Sequence, residues 1–165
     1  MRVLVDTNVA VVANQRNTHA TTECIRACVN RLALIRTEQI LVLDDKRLIL
    51  DEYKRRLRSE GQPGVGDQFL LWVLSNLANP QRCEIISITL KDPSHNTNDF
   101  VEFPDMPELE RFDPADKKFV AVALAHPDHP PILNAVDTDW QIYREPLERV
   151  GVMVEFLCGE LKPRQ

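Results

Sequence analysis

Five short apolar runs alternate with longer segments of helical periodicity, and this alternation constrains the fold more than any other feature of the chain. The apolar runs are typical of buried strands and fall at 2–6, 39–44, 83–88, 131–137 and 151–157. The segments between them space apolar residues as helices do, over about 20–36, 46–58, 67–78, 113–126 and 138–150. Alternation of this kind predicts an α/β protein with a mostly parallel central sheet of about five strands.

The chain is long enough for one domain with its own hydrophobic core. Its 165 residues show no internal repeat, and we predict a single domain over 1–165. The alternation fails only at about 91–112, a stretch with three prolines and many acids that we interpret as an irregular acidic insertion. A loop of this length in a compact domain is usually functional or mobile.

The charge and the cysteines narrow the class of protein. The formal net charge of −5 argues against a surface that clamps nucleic acid along its whole extent. It does not argue against a nuclease, because a carboxylate site is itself negative and its metal ions reverse the local sign. No apolar run approaches the roughly 18 residues of a membrane helix, and no signal peptide is expected. Four scattered cysteines favour reduced thiols in a cytoplasmic protein.

Acidic residues occupy places from which they could reach one site. Asp6 directly follows the first predicted strand, and Asp137 ends the fourth. Because the carboxyl ends of parallel strands open onto one crevice, these two side chains are expected to meet. Glu52 and Asp116 lie on or beside the inward faces of their predicted helices. The sequence therefore predicts that four acids from separate elements converge.

Each acid also has a simpler interpretation. Asp6 could cap a helix, and Asp113 is more readily an N-cap than a ligand. Asp116 could interact with the helix dipole, and Glu52 could pair with an arginine of its own helix. The combination favours a metal site, since four converging carboxylates would repel one another unless cations joined them.

Four stretches of the sequence resemble the PIN-domain nucleases, including the toxins of bacterial toxin–antitoxin pairs. The stretches occur in the expected order over nearly the whole chain and read VLVDTNV at 3–9, LDEY at 50–53, DPADKKFVAVALAH at 113–126 and AVDTDW at 135–140. The resemblance implies a PIN-like three-layer α/β/α sandwich. It also implies a set of site residues, cofactors and partners.

The implied site is an acidic metal centre. Its catalytic residues would be Asp6, Glu52, Asp116 and Asp137, its metal ligands would be Asp6, Asp116, Asp137 and Asp139, and Thr7 and Asn8 would support Asp6. Mg²⁺ or Mn²⁺ would be held by carboxylate oxygens, as hard cations prefer. Two ions about 3.5–4 Å apart would suit in-line hydrolysis, with the glutamate binding the second ion or orienting water.

The resemblance predicts an Mg²⁺- or Mn²⁺-dependent endoribonuclease that hydrolyses phosphodiester bonds in RNA, in the cytoplasm. The toxin version of this hypothesis adds an antitoxin protein as partner, and a homodimer is a further expectation from the family. No residue is assigned to substrate binding at this point. One alternative is a catalytically silent PIN-like module that binds protein or RNA. Another is a phosphatase with Asp6 as nucleophile, although that chemistry favours a second aspartate where this chain has Asn8.

Overall fold

One parallel sheet of five strands forms the centre of the molecule. A computed structural model describes residues 1–17, 19–95 and 98–159. The sheet order is β3-β2-β1-β4-β5, with strands β1 (Arg2–Val5), β2 (Ile40–Asp44), β3 (Cys83–Ile86), β4 (Ile132–Asn134) and β5 (Val154–Phe156). All four strand pairings are parallel. The predicted α/β class with a parallel sheet of about five strands is confirmed.

The register of the sheet brings the ends of two strands together. β1 lies in the middle and pairs with β4 through Leu4–Ile132 and Val5–Leu133. The residues that follow these strands, Asp6 and the segment leading to Asp137, therefore leave the sheet at the same edge. The strand order changes direction between β1 and β4. In α/β proteins, ligands bind at the carboxyl ends of the strands at such a point.

Helices cover both faces of the sheet. They are α1 (Thr7–Ala13), α2 (Thr22–Glu38), α3 (Leu48–Arg56), α4 (Val65–Asn76), α5 (Lys117–Ala125), α6 (Asp139–Ile142) and α7 (Arg144–Arg149). With this strand order, the general preference for right-handed crossovers assigns α1–α4 to one face and α5–α7 to the other. The result is the three-layer architecture that the resemblance to PIN domains implied. No helix in the described part of the chain is long and apolar enough to cross a membrane.

Two helices depart from the predicted pattern. α1 is absent from the predicted helical segments and was indicated only by the interpretation of Asp6 as a helix cap. It begins directly after Asp6, whose side chain accepts a hydrogen bond from the backbone N–H of Asn8. α5 begins at Lys117, four residues later than predicted, because residues 113–116 form a turn closed by the Asp116 N–H and the Asp113 carbonyl at 3.0 Å. Asp116 therefore precedes the helix and does not lie in its first turn.

The glycine-rich stretch at 61–67 has a packing role. A Cβ atom on Gly66 would lie 2.0 Å from the carbonyl oxygen of Ala10, so only glycine allows α4 to approach α1 this closely. The neighbouring Asp67 is fully buried and accepts a hydrogen bond from Asn14 Nδ2 at 2.9 Å. Both contacts hold α1, which starts at the sheet edge, against α4.

The predicted acidic insertion belongs to the core. Leu90 forms an antiparallel bridge with Phe100, and four apolar side chains of the insertion are buried: Phe100, Phe103, Leu109 and Phe112. Phe112 packs edge-on against Trp140, with ring centroids 5.3 Å apart. Residues 96 and 97 of the insertion, and 160–165 of the predicted domain, lie outside the described residues. The described residues share one hydrophobic core.

The prediction of four reduced thiols is wrong for two of the cysteines. Cys24 on α2 and Cys158 after β5 form a disulfide, with Cα atoms 4.7 Å apart. They are 134 residues apart in the chain, so no local pattern indicated that they meet. Cys28 and Cys83 are buried free thiols, as expected.

Candidate metal centre

A cavity of about 310 Å³ opens where Asp6 and Asp137 leave the sheet. Most of its lining comes from polar and charged residues that the sequence analysis singled out. The lining consists of Asp6, Thr7, Asn8, Glu52, Arg55, Arg56, Asp113, Ala115, Asp116 and Asp137. The cavity therefore joins the acidic motifs from the beginning, middle and end of the chain.

Three carboxylates form a compact cluster in this cavity. Asp6, Asp116 and Asp137 each offer an oxygen atom, and these three atoms lie within 4.8 Å of one another. Asp6 is only 5% exposed and Asp116 only 7%, while Asp137 is half-buried. Three carboxylate oxygens at this separation can bind one cation, and their chemistry fits a hard divalent ion such as Mg²⁺ or Mn²⁺.

Asp6 is both a helix cap and a member of the cluster. One carboxylate oxygen accepts the N–H of Asn8 at 2.9 Å, and the other accepts the indole N–H of Trp140 at 2.7 Å. Burial raises the pKa of Asp6 to about 6, and the charges of Glu52 and Asp137 act in the same direction against the two hydrogen bonds. The two interpretations of Asp6 left open by the sequence are therefore compatible.

The other two acids also hold their protons more tightly than usual. Burial raises the pKa of Asp116 to about 8, and the charges of Asp6 and Asp137 add to the effect. Burial likewise raises the pKa of Asp137, although one oxygen accepts the backbone N–H of Asp139 at 2.9 Å. A bound cation would replace these protons, because it stabilises the ionised carboxylates that burial disfavours.

Glu52 lines the same cavity but does not belong to the three-acid cluster. Its Oε1 accepts a hydrogen bond from the Thr7 hydroxyl at 2.5 Å, and its Oε2 pairs with Lys118 Nζ at 2.5 Å. The next residue on α3, Tyr53, is fully buried and donates its hydroxyl to the Val5 carbonyl at 2.6 Å. This bond ties α3 to the end of β1 and places the glutamate beside the cluster.

Asn8 connects the segments that follow β1 and β4, which carry Asp6 and Asp137. Its amide nitrogen donates to Asn134 Oδ1 at 2.8 Å, and its amide oxygen accepts the N–H of Ala135 at 2.8 Å. Asn134 in turn donates to the Asp137 carbonyl at 2.9 Å. The start of α1 and the loop after β4 are thus held together by side-chain amides, which keeps Asp6 and Asp137 adjacent.

The structure places the remaining candidate acids around the cluster. Asp139 is the first residue of α6, and it neither joins the three-acid cluster nor lines the cavity. Its role as a metal ligand stays a prediction. Asp113 does line the cavity, and it accepts the N–H of Ala115 at 2.8 Å. The prediction that it is the N-cap of the helix is wrong, because residues 113–116 form a turn and the N-cap of α5 is Asp116.

Sequence reasoning missed the part played by Lys118 and the hydrogen bond from Trp140. Two adjacent lysines, Lys117 and Lys118, are typical of a solvated helix face when the sequence is considered alone, but Lys118 is 7% exposed. A signal was present, because α5 is apolar nearly all round and a helix of that kind is buried on every side. Trp140 is fully buried against Phe112 and Phe119, and its indole N–H is directed at the cluster.

Comparisons with known proteins give a distant structural likeness. No family model matches the sequence, and no curated protein matches it. The chain is similar in structure to a chain of VapBC2 from Rickettsia felis, crystallised bound to a DNA fragment from their promoter. The two share 16% sequence identity, the match covers 94% of this chain and 98% of that chain, and the TM-score is 0.48. A likeness at this distance assigns no activity to the chain.

Proposed function

We propose that this protein is a divalent-metal-dependent endoribonuclease. The observation that carries the proposal is the buried cluster of Asp6, Asp116 and Asp137, whose oxygens converge to within 4.8 Å from distant parts of the chain. Carboxylates packed this closely are unfavourable without a compensating cation, and oxygen donors select a hard one. Mg²⁺ or Mn²⁺ held by these three residues would supply a nucleophile from water and stabilise charge on the phosphate.

The surrounding residues would set the geometry of the cluster. Trp140 and Asn8 hold the two oxygens of Asp6 in one orientation through bonds of 2.7 and 2.9 Å. The amides of Asn8 and Asn134 keep the Asp6 and Asp137 segments in contact. Rigid positioning of this kind is what a hydrolytic centre needs, because small displacements of reacting groups cost large factors in rate.

Two arginines at the cavity are suited to bind the substrate. Arg55 and Arg56 are exposed at the end of α3 and line the cavity that holds the acids. Neither guanidinium forms an ion pair within the described part of the chain. Because the protein as a whole is negative, attraction of a phosphate backbone must be local, and these two cations supply it beside the cluster. The preference for RNA itself comes from the resemblance to PIN nucleases.

The test is cleavage of labelled RNA and single-stranded DNA panels in Mg²⁺, in Mn²⁺ and in EDTA. Asp116→Asn keeps the side-chain shape and removes one ligand charge. We expect it to lower the cleavage rate by about 100-fold or more, because losing one electrostatic contact in a catalytic site typically costs that much. Asp51→Asn is the matched control, since Asp51 is exposed on α3 and does not line the cavity. Cleavage by Asp116→Asn at the wild-type rate would contradict the proposal.

The toxin version of the proposal adds a partner. Because the motifs resemble toxins of toxin–antitoxin pairs, an antitoxin protein is proposed as the binding partner. Expression of the chain alone should then arrest growth, and co-expression of its antitoxin should relieve the arrest. Unimpaired growth at high expression would remove the toxin role and leave the nuclease. Homodimerisation and a cytoplasmic location stay predictions.

A silent binding module is the second candidate, and one observation favours it. The acidic insertion forms a separate cavity of about 400 Å³, lined in part by Phe103, Asp105, Met106 and Glu110, which could accept a protein segment. Calorimetric titration with Mn²⁺ separates the two functions. A silent module has no need of the ion, whereas the nuclease must bind it through the three-acid cluster.

A further inference from the structure

Lys118 has an unusual environment for a lysine. Its side chain is only 8% exposed, and its ammonium group lies 2.5 Å from Glu52 Oε2 and also donates to the carbonyl oxygen of Ala115. Lysine is almost never this buried unless it is paired, because its charge must be compensated after it leaves water. The ammonium is therefore a positive charge held beside Glu52, which lines the cavity.

The partner of this lysine differs from the three cluster acids, because one of its oxygens is held by a charged group of the protein. Glu52 Oε2 is taken by Lys118, and Oε1 accepts the hydroxyl of Thr7 at 2.5 Å. A metal ion bound by Glu52 would lie close to this buried ammonium and be repelled by it, a cost that the two neutral N–H donors on Asp6 do not impose. The geometry thus opposes the interpretation, made from the sequence, that Glu52 binds a second ion.

The contacts of the lysine also connect it to the cluster. Thr7 follows Asp6 in the chain, and Ala115 precedes Asp116, so the Glu52–Lys118 pair is bonded to neighbours of two cluster residues. The charge of Lys118 favours the ionised form of Asp116. A positive group therefore already acts on the cluster.

We propose that the Lys118 ammonium takes the place of a second metal ion, so that the centre binds one divalent cation. Asp6, Asp116 and Asp137 hold that cation, and the ammonium pairs with Glu52. This inference rests on the proposed function, because it requires the three-acid cluster to be a metal centre. Lys118 is a positioning residue in this arrangement, since it acts through Glu52 and the cluster.

The stoichiometry of Mn²⁺ binding tests the inference without any measurement of activity. Titration calorimetry on the full chain should give one ion per chain for the wild type. Glu52→Gln should also bind one ion, because the glutamate is not a ligand. Lys118→Met should bind two ions, since removal of the ammonium frees the Glu52 carboxylate, and Lys118→Arg should still bind one.

Lys117→Met is the matched control. Lys117 is the adjacent lysine of α5, but it pairs with Asp99 at 3.3 Å and lines the other cavity. The Lys117→Met variant should therefore still bind one ion. Electron paramagnetic resonance of the loaded proteins supplies an independent readout, because two neighbouring Mn²⁺ ions couple magnetically and one does not. Circular dichroism establishes whether each variant is folded. If Lys118→Met is unfolded, the number of ions bound by Glu52→Gln tests whether Glu52 is a ligand.

The outcomes separate this inference from the proposed function. Two ions in the wild type, the loss of an ion in Glu52→Gln, or a single ion in folded Lys118→Met would each overturn the role of Lys118 and leave the metal centre standing. A wild-type protein that binds no Mn²⁺ would overturn the proposed nuclease function as well.

Discussion

Substitution of Asp116 by asparagine should change how the stability of the metal-free protein depends on pH. Burial and the charges of Asp6 and Asp137 raise the pKa of Asp116 from 3.8 to about 8. Between these two values the carboxyl is protonated in the folded protein and ionised in the unfolded chain. The folded state then binds more protons, so the free energy of unfolding falls as the pH rises from about 4 to 8. The stabilisation is complete below pH 4 and is lost at pH 8.

The size of this effect follows from the pKa. Each pKa unit is worth about 1.4 kcal/mol, so the full difference corresponds to roughly 5–6 kcal/mol as an upper bound. Asp6 titrates in the same cluster and repels Asp116, so the loss is shared between the two, and we expect about 3 kcal/mol from Asp116. That is a large part of the ~5–15 kcal/mol that holds a typical domain folded. Asparagine cannot ionise, so Asp116→Asn should lose most of the pH dependence of the free energy of unfolding that Asp116 causes.

Urea unfolding in EDTA at pH 5, 6, 7 and 8 measures the effect. The wild type should become less stable by a few kcal/mol over this range, while Asp116→Asn should change by much less. Asp51→Asn, which removes an exposed acid from α3, should behave as the wild type does. Mn²⁺ should stabilise the wild type more at pH 8 than at pH 5, because fewer protons then compete with the ion. A wild-type stability that is flat or rising from pH 5 to 8 would refute the reasoning.

The arginines and the disulfide yield two further predictions. Replacement of Arg55 and Arg56 together by glutamine should weaken binding of single-stranded RNA in EDTA and reduce the salt slope by roughly 1.4, at about 0.7 per phosphate contact. Lys54→Gln, which removes an equally exposed cation outside the cavity, should leave the binding constant within about twofold, and an equal loss in this control would count against the arginines. Reduction of the Cys24–Cys158 bond should lower the free energy of unfolding by roughly 2–5 kcal/mol, because it closes a long loop in the unfolded chain. An unchanged urea midpoint after reduction, with free thiols confirmed by titration, would contradict this.

The features that could be predicted from the sequence are those with a local physical cause. Apolar runs identified the strands, because a strand of a parallel sheet is buried on both faces. Acids placed directly after strands identified the cavity, because the carboxyl ends of parallel strands share one edge. Asp6 and Asp137 were found in this way, and the inward position of Asp116 was close enough to place it with them.

Other features depended on contacts between residues far apart in the chain. The pairing of Lys118 with Glu52 and the bond from Trp140 to Asp6 join elements that no periodicity relates. The disulfide of Cys24 joins residues that are 134 positions apart. The burial of the acidic insertion likewise depends on aromatic packing against α6 rather than on its composition.

Local chemistry in the sequence thus determined which groups reach the sheet edge, since helix, strand and cap preferences act between near neighbours. Only the tertiary structure decided how the charges there are paired. Glu52 pairs with Lys118 because the packing of α3 against α5 brings the carboxylate and the ammonium to 2.5 Å. That distance is set by the whole fold. Electrostatic energy at such short range changes steeply with distance and burial, so charge balance is a property of the assembled site.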